Sequence, residues 1–132
     1  MKSLNWSEYG FSKEEQALLE ATEDDGWDIG TTIYVWKGWA ELSLIDFRWL
    51  PVELESACSI RDDVEICLGN LPDTLRLRVC KVVDEFDRLF RTGTVSSGKL
   101  FEGEWWWGRV PFNTYSRLFF RQDWQDRRVY PP

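Results

Sequence analysis

Residues 103–110 read GEWWWGRV, and Trp105, Trp106 and Trp107 stand side by side between two glycines. No other stretch constrains the fold as strongly. A strand sends neighbouring side chains to opposite faces, and a helix spreads them over most of its circumference. Either way, one of the three rings points away from the other two and needs a second core, a partner or a ligand. The chain holds nine tryptophans in 132 residues, and 16% of it is aromatic. Such a core is built from rings more than from aliphatic layers.

Read as a strand, this segment puts Trp105 and Trp107 on one face and Trp106 on the other, beside Glu102 and Glu104. Trp106 is then a half-wet anchor flanked by acids. Trp27 has the same character, lying among Glu23, Asp24, Asp25 and Asp28. Rings framed by carboxylates suit a surface carrying Lys and Arg, through apolar burial, cation–π contact and charge pairing. These eight residues form the candidate partner-binding set. The competing expectation is a sheet covered on both sides, with all three rings of the 105–107 run buried.

The charge pattern points the same way. Residues 1–70 hold 15 Asp or Glu against 5 Lys or Arg, a net of −10, whereas residues 71–132 hold 8 against 11, a net of +3. The first half repels a phosphate backbone and attracts a basic partner. Arg109, Arg117, Arg121, Arg127 and Arg128 give the last third a basic stripe, but the net charge of −7 works against nucleic-acid binding.

One α+β domain is expected over residues 1–132. It combines a β-hairpin and aromatic-rich strands with an N-terminal helix and a central antiparallel helix pair. Ser12 and Glu15 make a capping box after Phe11, and Gly26 is the expected stop of that first helix. Glu23, Asp24 and Asp25 then fall in its last turn, against the helix dipole. Thr31 to Trp36 alternate as β-branched and aromatic residues, which reads as a strand. Lys37-Gly38 reads as a tight turn, and Ala40 to Phe47 as a returning strand or, alternatively, a helix.

Pro51 opens a helix marked by Leu54, Ala57, Ile60, Val64, Cys67 and Leu68, and Gly69 ends it. Asp62, Asp63 and Glu65 fall mostly on its wet side. Asn70 caps the next helix, with Pro72 and Asp73 in its first turn and Gly93 past its end. Its apolar face runs from Leu75 through Val79, Val82, Val83, Phe86, Leu89 and Phe90, and Lys81–Glu85, Asp84–Arg88 and Asp87–Arg91 are its i,i+4 pairs. Residues 112–128 read equally as helix or edge strand.

Catalytic signals are missing. The chain has no histidine, so it lacks the commonest general base and metal ligand. Cys58, Cys67 and Cys80 do not have zinc-ligand spacing, and they fall on or beside apolar faces as reduced thiols. Residues 93–99 satisfy G-x-x-x-x-G-K, but Leu100 stands where a phosphate loop needs Ser or Thr. The acids at 24–28 lack the ligand alternation of a calcium loop. The expectation is no enzyme activity, no cofactor and no metal. The alternative is a carbohydrate-binding or carboxylate-dependent hydrolytic domain, with tryptophans stacking on sugar. No apolar run reaches the length of a membrane span or signal peptide, so a cytoplasmic location is expected.

A short, acidic, histidine-free chain rich in tryptophan resembles the immunity proteins of bacterial toxin–immunity pairs. The resemblance lies in size, charge and composition, without a motif, so no residue role carries over. It implies an inhibitor whose acidic face covers the basic cleft of a cognate toxin, often a nuclease. Phage-encoded inhibitors that mimic nucleic-acid charge share this composition.

Overall fold

The computed structural model describes residues 2–24, 26–45, 49–96 and 104–111. It is mostly helical. After a 3-10 turn at Trp6–Tyr9 come α1 (Lys13–Glu20), β1 (Glu23–Asp24), β2 (Trp27–Asp28), α2 (Ile29–Leu42), α3 (Pro51–Gly69), α4 (Asp73–Gly93) and β3 (Thr94–Ser96). A second 3-10 turn at Trp105–Gly108 leads into β4 (Arg109–Pro111). The strands form two small antiparallel ribbons, β1–β2 and β3–β4. The α+β class expected from sequence holds, with more helix than anticipated.

The capping box forms as read: Glu15 N donates to Ser12 Oγ at 3.1 Å, and Ser12 N donates to Glu15 Oε1 at 2.8 Å. The helix it opens is shorter than expected. α1 ends at Glu20, and the acids at 23–24 lie in β1 instead of a last helical turn. The dipole conflict expected there does not arise. Gly26, at φ +83°, serves the turn between β1 and β2, which pair Glu23 with Asp28 and Asp24 with Trp27.

The largest correction concerns residues 31–42. The expected hairpin, with its turn at Lys37-Gly38, is the continuous helix α2. Ile29, Ile33, Trp36 and Ala40 are fully buried, a spacing of four, three and four that defines a helical face. Asp28 supplies the N-cap, accepting from Thr31 N at 2.8 Å, and Thr32 Oγ1 donates to the Asp28 carbonyl at 3.1 Å. That cap, joined to burial on one face, overrides the β preference of Thr31, Thr32, Ile33 and Val35.

α2 is the central element and packs against both α3 and α4. α3 begins at Pro51 and ends at Gly69 as expected. Asn70 closes α3, its N–H reaching the Cys67 carbonyl, and Pro72 precedes α4 in the role expected of Asn70. α4 buries Leu75, Val79, Val82, Val83, Phe86 and Phe90. The residues at 70–72 turn the chain back, so that Arg61 of α3 meets Asp87 of α4. Cys58 and Cys67 are buried and Cys80 is half-buried, none of the three in a disulfide. No helix among the described residues is long and apolar enough to cross a membrane.

Candidate functional site

α3 is amphipathic with one exception. Arg61 lies in its apolar stripe between Ala57 and Val64 and is buried. A guanidinium taken out of water needs close partners. Arg61 Nε and Nη2 donate to the two carboxylate oxygens of Asp87 at 2.8 and 2.9 Å, a two-bond fork, and Nη1 donates to Glu65 Oε1 at 2.7 Å. Burial works against its charge, but the bonds and fields of Asp87 and Glu65 outweigh that effect and raise its pKa. Asp87 also accepts from Trp36 Nε1 at 3.0 Å. One buried carboxylate therefore ties α2, α3 and α4 together. The expected Asp87–Arg91 pair gives way to this arrangement.

The tryptophan run completes it. Residues 105–108 form a 3-10 turn, which spreads the three rings by about a third of a circle each. Trp106 points inward and is 1% exposed, so it is a core residue and not the half-wet anchor expected from a strand. Its ring lies over the Arg61 guanidinium, 4.3 Å from centroid to Cζ. Its Nε1 donates to Asp62 Oδ1 at 2.8 Å, and Trp107 Nε1 reaches both Asp62 oxygens at 3.1 Å. Asp62 and Asp63 are accordingly half-buried, not solvated. Trp105 packs near Phe90 and beneath Arg91. Burial, and then the neighbouring Asp62, push the Cys58 thiol up, so it stays protonated and inert.

The outer side of α3 differs. The helix carries Glu53, Glu55, Asp62, Asp63 and Glu65 against Arg61 alone, and of these acids Glu55 and Glu65 are exposed, Glu65 answering Arg61. Val52 and Ile66 are exposed on the same helix, and Leu44, Ile45 and Leu50 are exposed on the segments leading into it. β1 packs against α3 and brings Glu23 and Asp24 beside it, and the Trp105–Gly108 turn packs there too.

The sequence-derived set divides accordingly. Glu23, Asp24, Trp27 and Asp28 meet in the β1–β2 hairpin, where Trp27 is half-buried. Asp28 is committed to capping α2. Glu104 is exposed at the head of the 105–108 turn, while Trp106 is buried. Asp25 and Glu102 lie outside the described residues, as do Arg117, Arg121, Arg127 and Arg128. Sequence reasoning missed Arg61 and Asp87. The signal was available: both sit within the apolar stripes of their own helices and carry opposite charge. It also missed the aliphatic side chains exposed around α3.

Among the described residues no three His, Cys, Asp or Glu side chains converge as metal ligands. A groove of about 270 Å³ between Tyr9, Phe11 and α4 is lined by Arg78, Lys81, Val82 and Glu85. Its Arg78 is engaged by Glu15 and by the Gly10 carbonyl. Comparison with protein families, curated proteins and solved structures finds no match for this chain.

Proposed function

We propose that this chain is a non-catalytic binding protein that docks on a cationic protein and blocks it, in the manner of a cytoplasmic immunity or inhibitor protein. The observation that carries this reading is the charge of α3. It has five carboxylates against a single arginine, and that arginine is met by one of the five, Glu65, and by Asp87 of α4. Glu55 and Glu65 are exposed on α3, and β1, Glu23-Asp24 in sequence, lies against the same helix. A surface of one sign steers an oppositely charged partner and fixes its register. Val52, Ile66, Leu44 and Ile45 add apolar area that aqueous solvent does not favour and a partner can cover. The anchors of this surface are therefore aliphatic, with half-buried Trp27 the one tryptophan of the expected set that keeps access to solvent.

The sugar-stacking alternative would have to use the half-buried rings of Trp27, Trp39, Trp105 or Trp107. None of the eight described tryptophans is classed as exposed, and Trp6, Trp36, Trp49 and Trp106 are sealed in the core.

The test is affinity capture from host cells by the protein and by a Glu55→Lys/Asp63→Lys variant, with any captured protein then assayed for its own activity. The reading expects a protein of high isoelectric point, captured by the native chain, lost by the variant and inhibited by binding. Equal capture by both, or capture without inhibition, would overturn it.

A further inference from the structure

α4 presents different faces to different neighbours. Arg76 and Asp87 lie eleven residues apart, about three turns, and both bond α3. Arg78 and Glu85 lie seven residues apart, about two turns, on the opposite side of the helix. There they border the groove of about 270 Å³ whose other wall is Tyr9 and Phe11. Phe11 and Val82 give this groove an apolar lining, and both are buried. Arg78 is fixed in place. Its guanidinium lies 4.3 Å from the Phe11 ring centroid, pairs with Glu15 and donates to the Gly10 carbonyl at 2.9 Å.

With Arg78 answered by Glu15, the charges left to the groove are those of Lys81 and Glu85, both exposed. They lie one turn apart, but the lysine comes first, which is the weaker order for a pair at i,i+4. The Lys81–Glu85 pair expected from sequence does not form: among the described residues, no ion pair joins the two. A base and an acid thus border one apolar groove, with about 6 Å between their β-carbons, and neither neutralises the other.

We propose that this groove binds a free α-amino acid with an apolar side chain. Such a ligand brings a carboxylate to Lys81, an ammonium to Glu85 and hydrocarbon to the surface of Phe11 and Val82. A simple anion or cation would meet one attracting and one repelling charge, so the pair of charges favours a zwitterion. The groove is smaller than the range of about 300–1,000 Å³ that takes drug-sized ligands, which suits a small metabolite. The site lies on the side of α4 away from α3 and is independent of the acidic surface there, so either assignment can fail without the other.

The test follows backbone amide signals of the full chain by NMR as L-phenylalanine or L-leucine is added. N-acetyl-L-phenylalanine, which lacks the ammonium, and L-phenylalanine amide, which lacks the carboxylate, are titrated in parallel. The expected result is saturable movement at Tyr9, Phe11 and residues 78–85 by at least one of the two amino acids. Each analogue should bind about tenfold more weakly than L-phenylalanine, the size expected for one lost charge-assisted bond. Lys81 and Glu85 are exposed, so Lys81→Gln and Glu85→Gln leave the core intact. Lys81→Gln should weaken L-phenylalanine by about tenfold and leave the amide no weaker, while Glu85→Gln should do the same and leave the N-acetyl form no weaker. A general change of structure does not produce that crossed pattern. No saturable movement by either amino acid, movement confined to other parts of the chain, equal binding of L-phenylalanine and its two analogues, or undiminished binding in either variant would overturn the site.

Discussion

Asp87 joins α4 to both α2 and α3, because it satisfies Arg61 and Trp36 at once. Breaking a buried ion pair from one side leaves the other charge without compensation, whereas replacing both partners by apolar groups is far milder. Asp87→Ala is expected to cost about 3–5 kcal/mol, measured by urea denaturation. The double variant Arg61→Met/Asp87→Leu should be clearly more stable than Asp87→Ala. Both variants orphan the same Trp36 indole, so the difference between them reads the stranded Arg61 charge. Equal midpoints would show that the pair has no such role. At this scale the sequence was only partly legible. Leu54, Val64, Val79 and Val83 were readable as core because spacing alone assigns them. Trp106 was not, because its direction depends on whether residues 105–108 extend or coil, and three consecutive rings are compatible with both. The same blindness placed Trp106 in the candidate site and left Arg61 out.

Among the elements, α2 shows where propensity misleads. Its β-branched run reads as a strand until Asp28 is recognised as a cap and Ile29, Ile33, Trp36 and Ala40 as one face. Gly38 separates the two readings by experiment. It lies on the wet side of α2, and a β-carbon added there meets nothing within 4 Å. In a helix interior Gly38→Ala should stabilise by roughly 0.5–1 kcal/mol, whereas at a tight hairpin turn it would destabilise. Thermal denaturation gives the sign directly. Gly93 is the opposite case. A β-carbon there would overlap the backbone of Ser43, where the end of α2 meets the end of α4. Gly93→Ala should therefore cost about 1–3 kcal/mol, as overpacking against a backbone does. α1 adds a pH-dependent tie. The Ser12 N–H, and then Arg78 of α4, hold the Glu15 carboxyl below the usual carboxylate range. A depressed folded pKa stabilises fully above the unfolded value of about 4.3, and that stabilisation is lost as pH falls through the lower folded value. Melting curves of the native chain and Glu15→Gln should thus differ near neutrality and converge in acid. A gap that persists in acid would show that Glu15 acts through packing and not through its charge.

Across the whole molecule, charge is sorted by element. α3 carries five carboxylates with the acidic β1 packed against it, while Arg109 bonds the end of α4 to the second ribbon. The imbalance between the two halves of the chain was legible because it needs no geometry. Which side chains share a face was not, since that depended on α2 being a helix and on the β1–β2 hairpin folding back to α3. If the acidic side serves to find a cationic protein, its effect belongs mainly to the encounter. Charges at the rim of an interface change association rates more than dissociation rates, and salt screens them. Glu55→Lys with Asp63→Lys moves the net charge from −7 to −3 at pH 7, since each reversal adds two units. Surface-plasmon measurements against the captured partner should show association slowed by about tenfold or more at low salt, with dissociation little changed. Raising the salt should bring the two association rates together, because the difference between them is a difference in long-range field. A variant that instead dissociates faster at every salt concentration would place Glu55 and Asp63 in close contact with the partner, and the sorting of charge across the fold would then serve contact and not steering.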